Sequence, residues 1–149
     1  MNDYRVEKLE APASFYLTNS KVIRGTVFLA EFSATHSGPE TILDLVSSPE
    51  PMLPMLDLSG RFVLLGRSQI VAVQTSPDLA GAQNVLSQVT AQIETAGGHM
   101  FIGDLDVPTG FGDRISDAFN GTFEWHALKS GSAVTWLSRR HIVKARTDS

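Results

Sequence analysis

The chain has 149 residues, enough for one sizeable core or two very small ones sharing an interface, and its 42% hydrophobic against 19% charged residues exclude an intrinsically disordered segment. A formal net charge of -4 argues against a general nucleic-acid binder, whose affinity depends on lysine and arginine neutralising phosphates. No apolar run approaches the ~18 residues of a membrane helix, and zero cysteines remove disulfides, thiol nucleophiles and thiolate metal sites.

The segment from Met1 to Lys8 is polar and lacks the apolar centre of a secretory signal, so the expected compartment is the cytoplasm. Residues 1–12 read as a flexible lead-in ending at Pro12. Phe15 to Thr18 is predicted to be a strand, Asn19-Ser20 a turn, and Val22 to Ala30 a second strand rich in β-branched and aromatic residues. Ser33 to Pro39 has little to bury and reads as a loop. Glu40 to Val46 fits one or two helical turns, with Ile42, Leu45 and Val46 on one face and Ser47-Ser48-Pro49 as the stop. Pro51 to Leu56 is apolar but broken by proline, which suits an edge strand or an extended segment. Beyond Gly60, two apolar strands flank the polar break Gly66-Arg67-Ser68-Gln69.

Ser76 to Gly81 marks a boundary. From Gln83 to Ala96 periodicity alone leaves helix and strand open, because Val85, Leu86, Val89 and Ile93 suit one helical face while Val89, Ala91 and Ile93 alternate. An internal repeat decides. Leu65, Arg67, Ile70 and Val71 recur as Leu137, Arg139, Ile142 and Val143; Gly25 is answered by Gly103, and Ile42 and Asp44 by Ile115 and Asp117. Val89 to Thr95 is therefore predicted to be a strand with a brief helical lead at Gln83 to Leu86. Gly97-Gly98 is then a turn, and His99 to Val107 a strand. Pro108 to Gly112 becomes a loop, Asp113 to Phe119 a helix, Thr122 to Leu128 a strand, and Ala133 to Ala145 the closing strand pair. The expected organisation is a first repeat over 13–75, a linker over 76–86 and a second repeat over 87–149. Each is a bent sheet of about five strands that buries its inner face by curling on itself.

This outline, Phe62 to Val73 and again Ala133 to Ala145, resembles the last two strands of an Sm-like or SH3-like small barrel. The whole chain resembles a bacterial group of tandem Sm-like barrel proteins without assigned function. The fold class implied is mainly β, with two tandem small barrels that each carry a short helical insertion. Sm-like proteins commonly form rings and bind RNA through turn residues, and Arg67-Ser68-Gln69 and Arg139-Arg140-His141 occupy that turn.

Chemistry-bearing patterns are sparse. The four histidines, His36, His99, His126 and His141, lack metal-ligand spacing, so neither a metal nor another cofactor is expected. Asp104 and Asp106 sit two apart on one strand, as a catalytic pair or a merely solvated face would. The glycine pairs form no phosphate loop, and the serines lack a nucleophile elbow. Trp136 aligns with Leu64 at a position expected inside the barrel. From Glu94 to Glu124 six acidic residues stand against Arg114 alone, whereas Arg139, Arg140, Lys144 and Arg146 crowd the last eleven residues. The two signs could face one another across a subunit contact.

The best candidate for protein recognition is the proline-methionine stretch with Met52, Leu53 and Met55, joined by Phe123 and Trp125, because proline stays extended and methionine adapts. The expected function is a non-enzymatic interaction or scaffold module, self-associating or docking a cytoplasmic protein through barrel edges and the proline-methionine segment, with no membrane contact. The alternative is an RNA- or DNA-binding regulator using Arg67, Arg139, Arg140, Lys144 and Arg146. A third reading, a small-ligand protein or enzyme, requires a cleft between the repeats lined by Asp104, Asp106 and a histidine.

Overall fold

The computed structural model describes residues 8–83, 85–108 and 115–147, with the main chain alone at 86 and 108. Ten strands form one antiparallel sheet. They are β1 (Lys8–Leu17), β2 (Val22–Ala30), β3 (Met52–Asp57), β4 (Phe62–Gly66) and β5 (Ile70–Thr75), then β6 (Val85–Thr95), β7 (Met100–Pro108), β8 (Trp125–Ser130), β9 (Ala133–Ser138) and β10 (Ile142–Thr147). Three short helices interrupt them, α1 (Ile42–Val46), α2 (Pro77–Ala80) and α3 (Ile115–Phe119). No helix among the described residues is long and apolar enough to cross a membrane.

The strand order is β10-β6-β7-β8-β9-β5-β1-β2-β3-β4. The first five strands pair as β5-β1-β2-β3-β4 and the last five as β10-β6-β7-β8-β9, the same pattern with the same registers. Ala13 lies opposite Gly25 and Ala91 opposite Gly103; Ser14 lies opposite Gln74 and Gln92 opposite Arg146. The glycines are required at this crossing. A Cβ on Gly25 would sit 2.0 Å from the Leu56 carbonyl oxygen, and one on Gly103 2.4 Å from that of Lys129. The neighbouring strand therefore packs against bare backbone.

The halves join where β5 pairs β9, with Ala72 opposite Leu137, Val73 opposite Trp136, Gln74 opposite Thr135 and Thr75 opposite Val134. These strands are covered on both faces, which is why Ile70-Val71-Ala72-Val73 and Val134-Thr135-Trp136-Leu137 are buried without alternation. The seam also trades side chains. Trp136, Val134 and Ala127 enter the core built on Phe15, Val27, Leu29, Leu53 and Met55. Val71 and Ala72 enter the core built on Ala91, Ile93, Phe101, Leu105 and Leu128. At about 1.5–3 kcal/mol for each large apolar side chain fully buried, the two halves stabilise one another.

Several expectations are corrected. Lys8 to Pro12 does not belong to a lead-in: it pairs with Thr26 to Ala30, because Ala11, Ala13, Phe15 and Leu17 alternate inward along one strand. Residues 1–7 lie outside the described residues. The proline-broken segment is not an edge, since β3 lies between β2 and β4. Pro54 is tolerated because β2 meets β3 at Asp57 and Leu56, leaving the stretch around Pro54 paired to β4 alone. The expected helical lead at Gln83 to Leu86 is a strand from Val85, and the single helical turn falls earlier at Pro77–Ala80, where proline suits a first helical position. Ala80 is fully buried, and its carbonyl accepts the Trp136 indole N–H at 2.8 Å. The expected linker thus contributes Ala80 to the first core, with Leu79 packed against it. Trp136 is inside, as its alignment suggests, but Leu64 is 52% exposed on the outermost strand.

Candidate functional site

The two polar breaks of the sequence meet in space. Each is a 3-10 turn, Arg67–Gln69 and Arg139–His141, leading directly into β5 and β10. In each, the arginine main chain donates to the residue just before the third strand of its half: Arg67 N–H to the Pro51 carbonyl at 2.8 Å, and Arg139 N–H to that of Glu124 at 2.9 Å. The His141 Nε2 donates to the Ser68 carbonyl at 2.8 Å and ties one turn to the other.

The arginine side chains fold back onto the protein. The Arg67 guanidinium donates to the Leu45 carbonyl at 3.1 Å, the Glu50 carbonyl at 2.9 Å and the Met52 carbonyl at 2.6 Å, so it clamps the end of α1 to the start of β3. Burial lowers its pKa, against the nearby Glu50 and Glu40 charges. Arg139 donates to the Gly121 carbonyl at 2.7 Å and pairs with the Glu124 carboxylate at 3.2 Å. Both forks are therefore occupied by the protein itself.

Beside the turns lies a cleft of about 680 Å³ to which both halves contribute, including Leu43, Pro49, Phe123, Trp125, Arg140 and His141. Gln83 also lines it, donating from Nε2 to the Trp125 carbonyl at 3.0 Å, while its Oε1 is buried without a partner. The Arg140 side chain is exposed. The cleft is real, but among the described residues neither Asp104 nor Asp106 lines it. Asp104 accepts from Thr90 at 3.0 Å, and Asp106 is buried in an ion pair with Lys129 at 3.1 Å while accepting from Gln88 at 2.8 Å. The carboxylate pair is thus committed to cross-strand contacts, away from any histidine-lined cleft.

The histidines are dispersed. His36 donates from Nε2 to the Asp44 carboxylate at 2.7 Å and from Nδ1 to the Ser37 carbonyl at 2.8 Å. With both nitrogens facing acceptors, the Ser37 carbonyl first and Asp44 second raise its pKa. Asp44 also closes the capping box of α1 with Thr41. Burial would raise the Asp44 pKa, but His36 and Thr41 outweigh it, and the net shift is down. His99 donates to the Leu17 carbonyl at 2.8 Å and stacks edge-on against Tyr16. His126 is fully buried beside Phe119. Burial pushes its pKa down to about 4, against the Phe123 backbone, while Arg139 lowers it further and Glu124 raises it. Among the described residues no group of three or more histidines and carboxylates could hold a metal.

Of the residues expected at a protein-binding stretch, Leu53 and Met55 are buried in the first core, because the alternation of β3 turns them inward. Met52 remains 42% exposed, and Phe123 and Trp125 line the cleft instead. Of the expected nucleic-acid contacts, Arg67 and Arg139 are consumed as clamps; Arg140 stands at the cleft, and Lys144 and Arg146 lie on β10. Of the opposite charges that could face one another across a subunit contact, Glu124 pairs with Arg139 within the chain, and Glu94 lies opposite Lys144 in the β6–β10 ladder.

The sequence reading placed interaction at the barrel edges but named none of the apolar residues that stand on them. Phe62 is 66% exposed and Leu64 52% on β4, and Val143 is 65% exposed on β10. Their counterparts in the other half, Val134, Trp136 and Val71, are buried. The signal was present in the repeat: apolar letters stand at matched positions, yet a single chain pairs one β5-type strand with one β9-type strand and leaves the other two outermost. Comparison of the chain with protein-family models, curated proteins and solved structures finds no match.

Proposed function

We propose that the chain is two Sm-like small barrels in tandem and that it is a non-enzymatic, self-associating scaffold. The repeated strand order and the matched arginine turns support the barrel reading. The observation that carries the function is the exposure of Phe62, Leu64 and Val143 on the outermost strands β4 and β10, at positions whose counterparts are buried at the internal seam. Unpaired strand edges present open main-chain donors and acceptors, and apolar side chains beside them favour adding another strand.

Nucleic-acid binding has less support, because Arg67 and Arg139 spend their guanidinium donors on carbonyls and Glu124. Arg140, Lys144 and Arg146 remain for that reading, with Phe123 and Trp125 nearby in the cleft. Light scattering over a concentration series, with the 260/280 nm absorbance ratio at low and high salt, tests both. A defined oligomer free of nucleic acid is expected. A monomer at every concentration refutes self-association, and salt-labile nucleic acid moves the function to the basic residues.

A further inference from the structure

The two arginine clamps fix two walls of the cleft, one from each half. Arg67 holds the stretch from Leu45 to Met52 through three main-chain carbonyls, and Arg139 holds Gly121 and Glu124. Pro49 and Pro51 stiffen the first wall, because a proline ring fixes φ and leaves no N–H to pair. Walls held in this way lose little freedom when a ligand enters. The volume of about 680 Å³ is that of a small-molecule site, for which ~300–1,000 Å³ is usual.

The lining selects a chemistry. Leu43, Val46, Pro49, Phe123 and Trp125 supply apolar and aromatic surface, against which a flat ring packs favourably. Among the described lining residues three carboxylates, Asp44, Glu50 and Glu124, stand against two guanidiniums, Arg67 and Arg140. Asp44 is engaged by His36 and Thr41, Glu124 by Arg139, and Arg67 by carbonyls. The Arg140 side chain is exposed and makes no hydrogen bond or ion pair among the described residues, so its fork is open to an anion. The surplus of carboxylates opposes a polyanion such as a nucleotide, whereas a single carboxylate needs one arginine. Gln83, in the same cleft, adds an acceptor: its Oε1 is buried without a partner, and a ligand O–H or N–H would satisfy it.

We propose that the cleft between the halves binds a small aromatic monocarboxylate bearing a hydroxyl or a ring N–H. Its ring packs on Phe123 and Trp125, its carboxylate meets Arg140 and its donor reaches Gln83 Oε1. Arg67 and Arg139 are positioning residues that hold the walls, while Arg140 touches the ligand. The site lies within one chain and does not depend on the self-association proposed above.

The probe is 4-hydroxyphenylacetate, and the two tryptophans are the reporters. In chain labelled with 5-fluorotryptophan, the Trp125 fluorine resonance, assigned with Trp125→Phe, should shift saturably at millimolar ligand. That of Trp136, buried and donating to the Ala80 carbonyl, should stay in place. Calorimetry should find tyrosol, the uncharged alcohol on the same ring, weaker by about tenfold or more, and phenylacetate, which lacks the hydroxyl, weaker by about fivefold. Arg140→Gln changes an exposed residue, so its circular dichroism should match the parent, and it should bind acid and alcohol alike. No saturable Trp125 shift overturns the site. Equal affinity of the parent for acid and alcohol refutes the carboxylate on Arg140, and displacement of the acid by oligouridylate overturns the proposal in favour of nucleic acid.

Discussion

Replacing His126 with leucine should remove most of the stability that the protein loses on mild acidification. The ring is fully buried, and burial holds its pKa at about 4 against an ordinary value of 6.5. Between those values the unfolded chain binds a proton that the fold refuses. Stability therefore rises with pH through this window, is complete above 6.5, and falls away as pH drops towards 4. At ~1.36 kcal/mol per pKa unit the full effect is on the order of 3 kcal/mol, of which about 2 is lost by about pH 5. Leucine suits the site because His126 faces Leu137 in the ladder as Leu53 faces Leu65 in the other half. It also removes two buried ring nitrogens whose polar contact, with the Phe123 main chain, falls short of good hydrogen-bond geometry, so at neutral pH the variant should be as stable as the parent or more so. His36 acts in the opposite direction: its raised pKa gives stability that is lost as pH rises, and both proteins keep it. Urea unfolding at about pH 7.5, 6, 5.5 and 5 measures the difference between the two curves. Parallel curves, with the variant losing as much as the parent, would refute the burial argument.

Gly103→Ala should cost about 2–3 kcal/mol, because the new Cβ meets the Lys129 carbonyl oxygen at 2.4 Å and the β7–β8 crossing must open; thermal unfolding reads the loss, and an unchanged midpoint would show that the strands can shift freely. Arg67→Lys keeps the charge but not the fork that reaches the Leu45, Glu50 and Met52 carbonyls, and a loss of about 1–3 kcal/mol with faster amide exchange around α1 is expected. Full protection in that variant would mean that the clamp contributes nothing.

Much of the architecture was legible because the repeat carried information that local propensity lacked. The stretch before Thr95 suits helix and strand alike, and the repeat assigns it to a strand, β6. Gly103 was recognised as the partner of Gly25 from spacing, and their shared reason is the backbone crossing that a Cβ would block. The boundaries were less legible: Lys8 to Pro12 looks polar and proline-broken, yet Ala11 is fully buried because small residues can alternate inward. The site was least legible. Arginines in a turn look like ligand contacts in a sequence, and what absorbs Arg67 is a set of main-chain carbonyls, which carry no letter. Leu64 and Trp136 occupy one position in the repeat but differ in exposure, because burial there depends on which strand lies alongside.

That dependence gives Lys144 a specific role in the proposed assembly. It takes the place in β10 that Ala72 takes in β5, where alanine is buried opposite Leu137. The internal seam forms once per chain between tethered halves, an advantage equivalent to a high local concentration. A contact between free copies has no such advantage, and an exposed lysine on an edge strand discourages indiscriminate pairing. Its ammonium must stay in water, which weakens the addition of a strand along β10 without blocking it. Lys144→Ala should therefore strengthen self-association through β10 by about tenfold, equivalent to ~1.4 kcal/mol. Sedimentation velocity across a dilution series would show the larger species persisting to lower concentration. Weaker assembly in the variant would mean that the lysine makes a favourable contact between copies, and its part in guarding the edge would then be wrong.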